Sequence, residues 1–257
     1  MSDEILTAVT DTVLTITLNR PGKRNALTGG MVAALRTIFA RVATDDGIRV
    51  LLVAGAGPAF CAGLDLRELA AQRAAGAVET HPLEEALQAL EGCPQPTIAA
   101  VQGDAVAGGC ELALHCDLRV ASESARFAMP LARIGIVVPV TLTWKLVDTI
   151  GAAATKELLF TGEALDARAA LGLGLVNRVV PSAELATAAQ TLALHITRQA
   201  PLSVRAMKAF VQRLIEHRRT LPREDLERLA HEVRSSADAQ EGLAAQQERR
   251  APIFRGR

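Results

Sequence analysis

Short apolar strands alternate with helical stretches from Val13–Leu18 to about Val180, and chains that keep this order bury their strands as an α/β fold. Residues 48–53 and Thr97–Val101 read as further strands. Residues 30–43 read as a helix with Met31, Ala34, Leu35, Ile38 and Val42 on one face. After Pro181 the pattern is helical only: residues 182–199, a helix opened by Pro201, and a third from 223 to about 239. The alanine- and glycine-rich stretch 70–82 has no clear period and reads as a loop. A chain of 257 residues can bury a large core. The expected division is an α/β core over 1–198 and a helical C-terminal region over 199–257.

The most chemically suggestive segment runs from Gln102 to Leu112, where Gly108-Gly109 follows an apolar strand and opens a predicted helix, Gly108–His115. Residues without side chains at a helix start let a ligand approach the free N–H groups, and the helix dipole favours negative charge there. Such a site holds an oxyanion, and Glu111, one turn in, is placed to move a proton beside it. A tight strand-to-helix turn with a surface glutamate would carry the same letters. In a second segment, Gly55-x-Gly57 begins like a dinucleotide fingerprint, but Pro58 and Phe60 break it. What remains is a small-residue turn, Cys61-Ala62-Gly63-Leu64, whose backbone can also come close to a ligand.

Composition narrows the classes of partner. Lysine plus arginine equals aspartate plus glutamate at 28 each, so no net field draws the chain to nucleic acid or to an anionic membrane. Aromatics make up 3% and tyrosine is absent, which removes base-stacking platforms and any tyrosine acid or nucleophile. The cysteines Cys61, Cys93, Cys110 and Cys116 form no CxxC pair and read as free thiols of a reducing compartment, the cytoplasm. Neither a signal-peptide core nor a bilayer-length apolar run is expected. No cluster has metal-ligand spacing, and no serine or cysteine nucleophile has a readable base, so neither a metal nor another cofactor is expected.

These two segments, with Asn19-Arg20-Pro21-Gly22-Lys23-Arg24-Asn25-Ala26-Leu27, resemble the enoyl-CoA hydratase/isomerase family, the crotonase superfamily. Cys116–Ala121, Ala125–Pro130, Thr161–Glu163, Gly174–Val180 and the tail from Glu241 to Arg257 follow the family's pattern in order, so the resemblance spans nearly the whole chain. It implies a crotonase-like spiral of ββα units with a C-terminal helical trimerisation region, and a homotrimer or a hexamer made as a dimer of trimers. It also implies an enzyme that binds acyl-CoA, whose coenzyme A is part of the substrate, in fatty-acid or related acyl-CoA metabolism. The implied activity is hydration of an enoyl-CoA, a lyase reaction proceeding through an enolate.

The resemblance places the oxyanion-hole N–H groups on Leu64 and Gly108 and the acid/base on Glu111. It brings the adenine to the backbone around Ala62, Asp65 and Leu66, and gives the CoA phosphates to Lys23, Arg24 and Arg67. The tail helix keeps a cation at Arg249, with Gln246 at the usual aromatic position. His81, Glu84, Leu131 and Val138 border the acyl pocket. Hydratases carry a second glutamate directly after the proline of the motif that here reads Pro130-Leu131, and this chain lacks it. Asp104, His81, Glu84 or Glu85 are the substitutes in view, while His115 reads as a packed histidine. Residues 133–139 look more like the segment of Δ3,Δ2-enoyl-CoA isomerases, which also use a carboxylate at position 131. An isomerase, another enzyme of the same fold, and a noncatalytic acyl-CoA-binding protein therefore remain as alternatives.

Overall fold

The computed structural model describes residues 4–74, 82–218 and 224–255. The larger sheet has strand order β1 (Ile5–Thr10), β2 (Val13–Leu18), β3 (Val50–Gly55), β4 (Thr97–Val101), β6 (Leu118–Ser122) and β9 (Arg178–Val180). Only β1 and β2 pair antiparallel; every later pair is parallel. A smaller sheet joins β5 (Asp104–Val106), β7 (Arg126–Ala128) and β8 (Leu165–Asp166). The helices of the core are α1 (Gly29–Val42), α2 (Leu66–Ala74), α3 (Pro82–Glu91), α4 (Gly108–His115), α5 (Val140–Thr161), α6 (Ala167–Gly172) and α7 (Leu185–Thr197). α5 is kinked at Gly151, whose φ of 76° is not helical.

The chain winds between the two sheets. β4 leads to β5 and then α4, and β6 leads to β7 and then, through a 3-10 turn at Pro130–Ile134, to α5. After β3 the equivalent pairing is a single bridge, Cys61 to Ala105, followed by α2 and α3. Ala105 in turn sits opposite Phe127. Three successive ββα turns are thus in register at Cys61, Ala105 and Phe127, and equal steps along each turn arrive at one end of the smaller sheet.

Side-chain alternation on the large sheet supplies both cores, as period-two strands require. Leu51, Val53, Ala99 and Val101 face the main cluster with Met31, Leu35, Phe39 and Leu90, while Val50, Leu52, Ile98 and Ala100 face Leu185, Ala189 and Leu192 of α7. The helix expected over 182–199 is accordingly α7, preceded by a short 3-10 turn at Ser182–Glu184, and it covers the outer face of the sheet.

Three expectations need correction. The stretch read as a loop from residue 70 is helical to Ala74 as the end of α2, where alanine's high helix propensity outweighs its lack of a clear apolar face. The helix expected from 223 to about 239 is two: α9 (Glu224–Ser235) and α10 (Ala237–Glu248). Ser236 divides them because its hydroxyl accepts the Ala239 N–H at 3.1 Å and caps α10. The strand expected at 48–53 lies two residues later as β3.

The C-terminal region is tied to the core by charge and by close backbone contact. α8 (Pro201–Arg218) places Lys208 Nζ 2.7 Å from Asp117, Arg205 2.8 Å from Asp46, and the Gln212 amide on the Glu91 carbonyl. α10 lies on the 3-10 turn of its own chain: a Cβ on Gly242 would meet the Ile134 carbonyl carbon at 2.3 Å, and one on Gly135 the Asp238 oxygen at 2.6 Å. Glycine is required at both positions for the two backbones to approach.

Candidate active site

The register of the ββα turns brings two backbone N–H groups together. Leu64 stands three residues after Cys61 and Gly108 three after Ala105, the bridged pair. A Cβ on Gly63 would lie 3.1 Å from the Gly108 nitrogen, and one on Gly108 would lie 3.6 Å from the Leu64 nitrogen. Gly63 has φ +91°, which side chains rarely adopt. Ala107, at the start of α4, has φ 48° and ψ −119°, and is held there by donating its N–H to the Ala128 carbonyl at 2.9 Å. Its carbonyl accepts the Glu111 N–H, also at 2.9 Å. An alanine in such a region costs on the order of 1–3 kcal/mol, a strain that recurs where backbone is aimed at a ligand. Among the described residues neither the Leu64 nor the Gly108 N–H has an acceptor.

Glu111 lies in the first turn of α4 with 9% of its surface exposed. Burial, and then the nearby Glu84 carboxylate, push its carboxyl up to about 7. Glu84, in the first turn of α3, accepts a hydrogen bond from the Thr141 hydroxyl of α5 at 2.8 Å. His115 is packed as expected, with 10% of its side chain exposed, and it also makes polar contacts. Its Nδ1 donates to the Glu111 carbonyl at 2.8 Å, and its Nε2 lies 3.8 Å from Glu91, which Lys145 holds at 2.8 Å. The other proposed substitutes for a second carboxylate are engaged elsewhere, Asp104 with Arg24 at 3.9 Å and Glu85 with Arg36 at 2.6 Å. His81 lies outside the described residues.

A staple that the sequence reading missed braces the turn after β3. Asn25 is fully buried at φ 55°, and its amide donates to the carbonyls of Ala56, Ala59 and Phe60, while its oxygen accepts the Arg20 N–H at 2.8 Å. Asparagine tolerates the left-handed region, which is the signal that could have marked it. Arg20 also binds Asp65 at 3.1 Å and Glu4 at 3.0 Å. Burial alone would raise the Asp65 carboxyl, but Arg20 and the N–H groups of Arg67 and Glu68 outweigh it and hold it below its ordinary value. The Gln102 amide adds a strut to the Gly55 carbonyl.

This bracing fixes what the expected CoA contacts offer. The N–H of Ala62 donates to Arg24 and that of Asp65 to Leu27, at 2.9 and 2.8 Å, so both are consumed within the fold. Lys23, Arg24 and Arg67 are exposed beside this turn, and Leu66 begins α2. Leu131 is partly buried against the main core, Val138 is buried, and Arg249 is exposed at the end of α10.

Burial pushes the thiols of Cys61, Cys110 and Cys116 up to about 12 and that of Cys93 up to about 11, leaving no thiolate at neutral pH. Among the described residues no group of three histidine, cysteine or acidic side chains could hold a metal ion, and no helix is long and apolar enough to cross a membrane.

Comparison with known proteins agrees along the whole chain. The sequence model described as enoyl-CoA hydratase/isomerase matches residues 8–257. A protein named putative enoyl-CoA hydratase/isomerase YngF, from Bacillus subtilis, is 34% identical over 259 residues, covering 100% of both chains. The crystal structure of an enoyl-CoA hydratase/isomerase from Pseudoalteromonas atlantica T6c superimposes with a TM-score of 0.87 at 33% identity, covering 98% of this chain and 100% of that one. A methylmalonyl-CoA decarboxylase structure gives 0.90 at 28% identity, with 100% of both chains covered.

Proposed function

The chain belongs to the enoyl-CoA hydratase/isomerase family and has its crotonase fold, and on that premise we propose that it is an enzyme that adds water to an enoyl-CoA thioester. The observation that carries the reading is Glu111, a buried carboxyl raised to about 7, one turn from a helix start whose N–H group is unengaged. A thioester oxygen set between Leu64 and Gly108 would receive both N–H groups as it gains enolate charge. One such donor stabilises a transition state by ~3–4 kcal/mol. Glu111 then gives its proton to Cα, a transfer that works best when the acid's pKa lies near the operating pH.

The rest of the substrate follows from which groups remain unused. With the Ala62 and Asp65 N–H groups consumed, carbonyl oxygens on this turn are left to accept the adenine amino group. Lys23, Arg24 and Arg67 face the phosphates, Arg249 adds a cation from α10, and Leu131 and Val138 line the acyl end. Location in the cytoplasm fits four unpaired cysteines. Leu131 favours a second reading, in which the chain shifts a double bond or only binds acyl-CoA. A panel of CoA thioesters, with binding and turnover scored separately, distinguishes these. Conversion of a 2-enoyl thioester to its 3-hydroxyacyl product is expected. Turnover of a 3-enoyl thioester alone would make it an isomerase, and binding without turnover of any thioester would make it a binder.

We also propose a homotrimer, alone or paired as a hexamer. Met207, Phe210, Val211 and Leu214 recur at helical spacing on α8 and are all exposed, from 56 to 69%. A face of this kind is normally covered by another subunit. Replacing both Met207 and Phe210 with aspartate is expected to convert the trimer or hexamer to smaller species in sedimentation. An unchanged oligomer would remove α8 from the interface.

A further inference from the structure

We infer that Glu84 is the second proton-transfer group of this site and activates the water that adds to the β-carbon of the enoyl thioester. The inference rests on the hydratase reading and deepens it. Adding water across a double bond needs a base for the water as well as an acid for Cα, and one buried carboxyl serves poorly as both within a single encounter. Leu131 supplies neither, and the carboxylates of Asp104 and Glu85 are turned to Arg24 and Arg36. Glu84 differs from them in three respects. It follows Leu83, whose Cδ2 lies 2.9 Å from where a Cβ on Gly108 would stand, so α3 meets α4 at the oxyanion turn itself. One of its oxygens is fixed by the Thr141 hydroxyl at 2.8 Å, and the other has no partner among the described residues. The Glu84 carboxylate is also the second cause, after burial, of the raised Glu111 carboxyl.

The step balances without a further reactant. Glu84 takes a proton from water as the water oxygen bonds to the β-carbon, and the π electrons move onto the thioester oxygen between the Leu64 and Gly108 N–H groups. The enolate collapses by taking the Glu111 proton at Cα. Passage of the proton from Glu84 to Glu111 then restores both groups.

The two roles separate in an isotope experiment. In D2O, a saturated acyl-CoA such as butyryl-CoA can exchange its Cα proton through Glu111 without any water addition, whereas crotonyl-CoA hydration needs both groups. Glu84→Gln, which keeps an oxygen to accept the Thr141 hydroxyl, is expected to cut hydration by ~10²–10⁴ while leaving Cα exchange and thioester affinity within a few-fold of the parent. Thr141→Val, which leaves the carboxylate but frees it, is expected to lower hydration by about tenfold with exchange intact, the size of losing one orienting hydrogen bond. Hydration by Glu84→Gln within a few-fold of the parent would overturn the assignment. Equal loss of hydration and exchange would also overturn it, by showing that Glu84 acts through Glu111 or through the fold. A parent that exchanges Cα but hydrates no enoyl thioester would overturn the hydratase reading itself.

Discussion

Glu111→Gln is expected to leave acyl-CoA affinity within a few-fold and to lower turnover by ~10²–10⁴, the range for a positioned general acid or base. It should also make the protein more stable. The carboxyl sits at about 7 in the folded chain against an ordinary 4.5, with burial the main cause and the Glu84 charge the second. A raised carboxyl keeps its proton in the folded state where the unfolded chain has already released it. Stability therefore falls as pH rises from about 4.5 to about 7 and levels off above. A rise of that size corresponds to roughly 3 kcal/mol. The glutamine variant lacks this penalty, so denaturant unfolding should show it more stable than the parent at pH 8 and equal near pH 4. Parallel pH profiles for the two proteins would mean that Glu111 carries no burial penalty. Equal turnover would remove it from the chemistry.

Gly109→Ala is expected to damage both stability and turnover. The new Cβ would stand 2.1 Å from the Cys61 carbonyl oxygen and 2.7 Å from its carbon, atoms of the same turn that carries Gly63 and Leu64. A flexible side chain could move aside, but here the obstacle is backbone. Overpacking typically costs ~1–3 kcal/mol, and a clash with fixed backbone should reach or exceed the top of that range. Relief requires the two N–H groups to separate, so turnover should fall even at temperatures where the variant remains folded. Gly172→Ala is the control, since nothing lies within 4 Å of its added methyl. Removing a helical glycine there should be neutral or stabilising by up to ~1 kcal/mol. A Gly109→Ala melting temperature equal to that of the control would show that the two turns are not locked together.

Local signals in the sequence were legible and distant pairings were not. β4 and α4 fall at Thr97–Val101 and Gly108–His115, the bounds read from an apolar run and a glycine pair, because each is specified by its own residues. The smaller sheet escaped notice because β5, β7 and β8 have three, three and two residues, and such strands exist only through partners far along the chain. The same division runs through the site. Glu111 could be singled out by its distance from a glycine, and the departure at Leu131 by motif. The contact of Glu84 with Thr141 depends on how α3 meets α5, and the staple at Asn25 on two loops meeting, neither of which leaves a periodic trace. The split at Ser236 was readable in principle, since a serine before a helical run is a capping signal.

The in-register turns of the spiral set a limit on the N–H groups they can present. Leu64 and Gly108 occur at the same step past their paired residues, and the third turn reaches that step at Pro130, three residues past Phe127. Proline has no N–H to offer. The repeat that leaves the first two N–H groups without an acceptor among the described residues is silent on its third pass, so these turns present two backbone donors at that step and no third. A reaction that put more charge on a substrate oxygen than two donors can hold would have to recruit a side-chain donor, and the next residue in sequence, Leu131, carries no hydrogen-bonding group.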